Sequence, residues 1–479
     1  MEPLENLRKA RLKKLESLKK LGVDPFPAKT TKKHKVADCL KSLGKNVETA
    51  GRIMALRTHG GLTFADLTDE TGKIQLLFSK DKLRPTSYSL LTYLDIGDFL
   101  EVSGKVGKTQ AGEVTIFVED FKILAKSIRP LPSKWYGLKD VEERFRKRYL
   151  DLIFNPEIKN IFILKTKFWE NVRNYLKGAG FLEVETPALE QIPGGADAAP
   201  FVTHHAALDL DLYLRISLEL HLKRLIVAGF EKIFELGRVF RNEGIDAEHL
   251  QDYTQMEFYW AFADYWDLMD FIRNFYKTVI KQTFGTLKFK FEGTVVDWGK
   301  EWNKIDYFQI FKTETGLDLE KVTEKDLRGY AVKIGAQPPE FYGKGRLIDL
   351  IYKKKIRPKL IQPAFLVNHP VEISPLAKKL EKNPRKAQRF QVMAFGSELG
   401  NGFSELNDPI DQSQRFLEQQ KLRAKGDEEA QMADWDFVEA LEYGMPPTAG
   451  FGLSERLFAK LVGKPMREVV FFPTVRPKK

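Results

Sequence analysis

The spacing of hydrophobic positions changes along the chain, and each change marks an element boundary. Between residues 1 and 21, Leu4, Leu7, Leu15, Leu18 and Leu21 keep three- and four-residue spacing with Lys and Arg between them. That pattern predicts a basic amphipathic helix, which GVDPFPAKT ends as a linker. From 47 to 125 the period falls to that of strands. VETAGRIMAL, LTFADLTD, GKIQLLFS, FLEVSGKVGKT and EVTIFVEDFKIL alternate apolar and polar residues between Gly or Asp-Glu turns. Strands so short and so closely spaced predict a small closed barrel of the OB type. Further on, helix and strand patterns mix. KTKFWENVRNYLKGAGF reads as an amphipathic helix stopped by Gly178 and Gly180. Residues 266–385 read as mostly helical, an insertion in the second domain. The expected class is α+β, with a basic helical extension (1–44), a barrel (45–130), a linker (131–160) and a larger domain (161–479).

Some strands of the larger domain carry chemistry. Alternate residues of a strand share a face. In FELGRVFRNEG this puts Glu235, Gly237, Val239, Arg241 and Glu243 on one face, with Phe234, Leu236 and Phe240 on the other and Arg238 an exception. TQMEFYWAFAD reads as the returning strand, with Met256, Phe258, Trp260 and Phe262 apolar and Gln255, Glu257 and Tyr259 opposite. One face is then core. The other is a polar floor, though a solvated face gives the same pattern. ELGNGFSELND aligns Asn401, Phe403 and Glu405 on one face, over roughly 13 Å of strand. An amide, an apolar wall and a carboxylate in a row suit a ligand with a polar head, an aliphatic stem and a cationic tip, the shape of lysine. Gly400 and Gly402 clear space beside the row. A buried Glu405 needs a partner, and a ligand ammonium is one. PPTAGFGLSERLFAKLVG reads as a Gly-rich strand entering a helix, with Ser454 and Glu455 in its first turn and Arg456 near its start. Such glycines let a backbone approach a nucleotide closely.

Composition adds partners and exclusions. The net charge is +11, and residues 1–35 hold eleven Lys or Arg against four Asp or Glu. This fits a phosphate-binding arm and equally a solvated helix docked by its leucines. OB-type barrels often bind single-stranded nucleic acid on one sheet face, for which Arg57, Phe64 and Gln75 are candidates; Phe64 alone reads equally well as core. The single cysteine, Cys39, excludes an internal disulfide and a multi-thiolate zinc site and fits a reducing cytoplasm. No apolar run is long enough for a membrane span, and MEPLENLRKARLKKL lacks the apolar core of a signal peptide.

The motifs together resemble the class II aminoacyl-tRNA synthetases. FRNEG through MEFY is similar to motif 2, GFLEVETPAL with Pro187 to motif 1, and GFGLSERL to motif 3. PGGADAAPFVTHHAALDLDLYLRISLELHLKRL and GNGFSELND resemble the lysyl branch, as do AGRIMA, IRPLPSKWYGL and RYLDL. The resemblance implies an antiparallel sheet flanked by helices, preceded by an anticodon-binding barrel. It implies activation of L-lysine by ATP with Mg2+, transfer to tRNA(Lys), and a cytoplasmic homodimer. Catalysis would rest on Arg241 at the α-phosphate and lysine carboxylate and on Arg456 at the γ-phosphate and adenine. Glu243, His249, Tyr253 and Glu398 would complete the ATP site, with Tyr253 where the family stacks a phenylalanine on adenine. For lysine, Gly195 and Glu219 would meet the α-amino group, Asn401 and Arg241 the carboxylate, and Phe403 the stem. Glu405 and Tyr259 would take the ε-ammonium, with Glu257 nearby. Arg57, Phe64 and Gln75 keep the spacing of anticodon contacts, with Phe64 stacking on a uridine. The resemblance gives the His204–His205 pair a structural role rather than a metal.

Departures from the pattern bear on the metal and the nucleotide. GFGLSER is one residue shorter than the usual motif 3, with Ser454 near its third glycine. Leu250 and Gln251 replace the usual Asn-Pro. Gln391 stands where the family has a magnesium-binding glutamate, leaving Glu398 as the charged partner. Gln391 could ligate through its carbonyl oxygen but brings no charge. Two other readings compete: an enzyme that lysylates something other than tRNA, and a degenerate synthetase kept for RNA binding. The barrel argues against the first. The retained Arg241, Arg456, Glu219 and Glu405 argue against the second.

Overall fold

The structure, a computed structural model, describes residues 4–132, 140–244, 246 and 248–477. The SKWYGL part of IRPLPSKWYGL (133–138) lies outside the described residues. The chain divides into two compact units, Met1–Asp140 and Val141–Lys479.

In the first unit β1 (Asn46–His59), β2 (Leu62–Asp69), β3 (Gly72–Ser79), β4 (Phe99–Lys108) and β5 (Val114–Ala125) close a barrel in the order β1-β2-β3-β5-β4. All pairings are antiparallel except β3 with β5. Inward residues such as Ile53, Ala65, Leu67, Leu76 and Val102 are fully buried, as alternation on a barrel strand requires. The basic helix forms over Leu4–Lys20. Only part of its leucine stripe docks: Leu15 and Leu18 are buried, while Leu4 and Leu21 are exposed. Arg11 does the rest, donating to the carbonyls of Ile96, Ser127 and Arg129. The residues before the barrel therefore pack onto it, and Val36 and Cys39 join its core. The buried Lys126 is held by Asp95 and Asp98 at 2.5 and 2.8 Å.

The second unit is built on an eight-stranded sheet. Its strands run Asn303–Asp306, Ala364–Val367, Arg389–Ala394, Ser397–Ser404, Thr448–Ser454, Asp252–Ala261, Lys232–Phe240 and Leu182–Glu183. Pairing is antiparallel except at the two edges. The helices Pro156–Gly178 and Tyr265–Phe284 form the apolar side with Phe258, Phe451 and Phe390. The first of these begins before the predicted amphipathic segment. Residues 266–385 are more than a mostly helical insertion. They supply most of a core helix and two strands of the main sheet, besides a helical cluster over Tyr307–Ile356 with its own core. The strand Asp252–Ala261 stops before Phe262, which has φ +62° and is exposed, so it leaves the apolar face expected for it.

Candidate active site

Cross-strand partners share a face of a sheet, so the register defines the floor. Glu235 lies opposite Glu257, Glu257 opposite Gly452, Gly452 opposite Asn401, and Asn401 opposite Gln391. One row along, Tyr259, Gly450, Phe403 and Arg389 are aligned in the same way. The two glycines leave the centre of the floor open. A Cβ at Gly450 would lie 2.5 Å from the Tyr259 ring and against Glu405 Oε1. Gly450 is needed here because the Tyr259 ring and the Glu405 carboxylate occupy the volume a side chain would take.

Glu257 is the hub of the floor. Its Oε1 accepts from Ser217 Oγ (2.7 Å), Leu218 N (3.0 Å) and Gln255 Nε2 (2.5 Å), and its Oε2 from Tyr259 Oη (3.0 Å). It was expected only as a neighbour of a ligand ammonium, yet it ties the floor to the start of the helix Glu219–Val227. That helix begins with Glu219, and the i,i+4 residue Lys223 returns an ammonium to it at 2.5 Å. Lys223 also touches Glu405 Oε2. The other oxygen of Glu405, Oε1, has no hydrogen-bond partner. Lys223 and Glu405 are almost wholly buried, and Glu219 nearly so. Burial raises the Glu219 pKa to about 7 despite Lys223, and it raises Glu405 well above the usual carboxylate range. Burial disfavours the Lys223 charge, but Glu219 and Glu405 outweigh it and raise the pKa. Tyr259 is pushed well up by burial and then by Glu219, Glu257 and Glu405. Gly195, at φ +86°, backs onto Glu219: a Cβ there would sit 2.8 Å from the Glu219 Cβ.

The other end of the floor is cationic. The strand Lys232–Phe240 ends one residue before Arg241, whose backbone continues the pairing through Gln251 O at 2.8 Å. Arg241 Nε donates to Ile216 O at 3.2 Å, and its guanidinium lies 5.6 Å from the Tyr253 ring centre. Burial opposes its charge, but Tyr253, Glu243, Glu257 and Glu398 raise its pKa. Arg389 donates to Asn401 Oδ1 at 2.8 Å, so the Asn401 amino group takes no part in that bond. The helix Arg456–Leu461 follows Glu455, a cap-position residue rather than part of the first turn, and Ser454 closes the strand before it. Buried Glu455 accepts from Thr254 N (2.7 Å) and Lys165 (2.5 Å), fixing Arg456, whose Nε is buried without a partner.

A bulge sets the position of Glu398. The register slips between Val392 and Met393, so Glu398 lies opposite Met393, two residues from Gln391. Strict alternation would turn Glu398 away from Asn401; the extra residue turns it back. Gln391 Oε1 is buried beside the His369 ring. Among the described residues no cluster of three or more His, Cys, Asp or Glu is arranged to hold a metal by itself. His249 is partly exposed and bonded to Asp246 at 2.6 Å. Its neighbour Glu248 was not foreseen. It binds Ser397 Oγ at 2.5 Å and Lys460 at 2.7 Å. Burial is overcome by Lys460 and Ser397, and its pKa falls to about 2.

On the barrel, Arg57 and Phe64 are cross-strand partners on the outer face, and Gln75 lies opposite Asp66 on that same face. Phe64 is half-buried, outside the core, and Arg57 leans on Asp66 at 3.4 Å. The Gln75 amide is committed to Glu113 and Thr115, both at 2.9 Å.

Comparison with known proteins places this geometry. Residues 140–476 match the family model described as tRNA synthetases class II (D, K and N), and residues 47–124 match the OB-fold nucleic acid binding domain. The lysine–tRNA ligase of Carboxydothermus hydrogenoformans is 45% identical over 100% of this chain and 99% of its own length. That of Moorella thermoacetica is 44% identical over the same shares, and that of Halalkalibacterium halodurans is 44% identical over 99% of this chain and 98% of its own. A floor with Arg241 at one end and Glu405 at the other, joined to an OB barrel and matched over the whole chain, makes this protein a member of the class II tRNA synthetases of the D, K and N group.

Proposed function

We propose that the chain is an ATP-dependent ligase that joins L-lysine to tRNA(Lys), working as a cytoplasmic homodimer. The observation that carries the choice of lysine is the pair Glu219 and Glu405, buried carboxylates facing a single resident ammonium. An aspartate ligand would add a third negative charge there, and an asparagine ligand would leave the excess charge unpaired. In the first step a lysine carboxylate oxygen attacks the α-phosphorus of ATP. The bond to the bridging oxygen breaks and pyrophosphate leaves with the electron pair. In the second, a hydroxyl of the terminal ribose attacks the lysyl carbonyl, loses its proton, and AMP leaves.

The chain's own part is positioning and charge stabilisation. Arg241 and the Asn401 amino group hold the carboxylate. Gly195 lets the α-ammonium approach Glu219, Phe403 borders the stem, and Glu405 with Tyr259 and the Glu257 hub receives the ε-ammonium. Tyr253 and Arg456 flank the base, with Glu243 and His249 on the loop beside it. Glu398 and Gln391 share a face and would hold a magnesium ion brought in on the phosphates, with one protein charge rather than two. Magnesium would neutralise phosphate charge there. Arg57, Phe64 and Gln75 form the anticodon face. Lysine-dependent ATP–pyrophosphate exchange without tRNA tests the reading: exchange is expected with lysine and absent with aspartate. No exchange with lysine at saturating magnesium would favour a degenerate RNA-binding synthetase.

A further inference from the structure

We propose that Lys223 is a positioning and specificity residue: a resident ammonium that leaves the buried pocket one positive charge short, so that an amino acid with a cationic tip completes it. The inference rests on the lysine reading above. Glu219 and Glu405 share the single ammonium of Lys223, two carboxylates against one cation in contact. Arg389 acts on Glu219 more weakly and without an ion-pair contact, and Glu257 is held by neutral donors. Lysine carries one carboxylate and two ammonium groups, so its net charge cancels the excess. A neutral amino acid leaves one buried carboxylate unpaired or protonated.

The geometry gives Lys223 this task rather than a generic structural one. It sits one helical turn after Glu219 and reaches across to Glu405, so it binds the carboxylates assigned to both ends of the ligand. Its ammonium is 5.3 Å from the Phe403 ring centre, beside the wall assigned to the stem. Lys223 takes Oε2 of Glu405, and the unpartnered Oε1 keeps its lone pairs for a second ammonium. The groups facing it are Lys223 and Glu219 from the helix and Glu257 and Tyr259 from the adjoining strand. Without Lys223 these carboxylates hold a proton more tightly, and lysine must expel it.

The test is ATP–pyrophosphate exchange by full-length Lys223→Met and Lys223→Arg chains with lysine and with norleucine, which is lysine without its ε-amino group. Lys223→Met is expected to raise the KM for lysine about tenfold or more and leave that for ATP unchanged. It should make kcat/KM for lysine climb with pH and narrow the preference for lysine over norleucine. Lys223→Arg should recover part of each loss. An unchanged lysine KM, pH profile and preference in Lys223→Met would overturn the proposal. Should that variant not fold, calorimetry of the parent chain in buffers of different ionisation enthalpy decides. Release of about one proton on binding lysine near neutral pH, and none with norleucine, is expected; no release with lysine refutes it. A parent chain inactive with lysine would instead refute the functional reading itself.

Discussion

Replacing Glu405 by glutamine removes one negative charge and almost no volume. In the parent, the carboxylate is buried to 1% exposure, held against Lys223 and open to a second ammonium. Breaking one side of a buried charge pair costs about 3–5 kcal/mol. Part of that is recovered here, because the raised pKa of Glu405 means the empty parent spends free energy on ionising it before lysine can bind. A net loss of about 2–4 kcal/mol remains, or roughly 30- to 1000-fold in the KM for lysine. Arg241, Arg456 and Tyr253 are untouched, so the KM for ATP should stay within about threefold. Thermal stability without ligand should not fall, since Lys223 keeps Glu219 at 2.5 Å. Exchange kinetics with each substrate varied in turn give the answer. Equal rises in both KM values, or a lysine KM within threefold of the parent, would refute the ε-ammonium role.

Other variants probe separate parts. Gly450→Ala puts a Cβ against the Tyr259 ring and Glu405 and should raise the lysine KM by about tenfold or more in the same assay while the circular dichroism spectrum is kept. Phe64→Ala should weaken tRNA charging by about 1–3 kcal/mol in kcat/KM for tRNA and spare exchange; loss of exchange as well would make Phe64 a packing residue. Glu248 has a pKa depressed to about 2, so its contribution is present above the ordinary carboxylate value and lost as pH falls through the folded one. Glu248→Gln should therefore lower the melting temperature at pH 6 to 7, by up to about 3 kcal/mol in stability, with the gap closing between pH 5 and pH 2.

Local pattern was legible where one strand decides the outcome. Alternation identifies the faces of Gln255, Glu257 and Tyr259, and the Asn401, Phe403, Glu405 row needs only a two-residue period and the neighbouring glycines. The barrel was readable from its short alternating strands. What could not be read depends on tertiary partners. The bulge that turns Glu398 toward Gln391 exists only in the pairing with Arg389–Ala394. Burial of Lys223 needs Glu405, far along the chain, although its i,i+4 spacing to Glu219 was a visible signal. Phe262 looks like the next member of an apolar stripe, but its left-handed backbone ends the strand first. In 266–385, short strands whose partners lie elsewhere were hidden among helical patterns.

The crowded carboxylate of Glu257 also has a mechanical meaning. Because one oxygen joins the turn before a helix, a side chain of its own strand and a backbone amide, while the other steers a phenol, these parts lean on a common pivot. An alanine at 257 would leave all four donors without their common acceptor. The turn at Ser217 and the tilt of Tyr259 would then shift together, so damage at this position should register at the head and the tip of the amino acid alike.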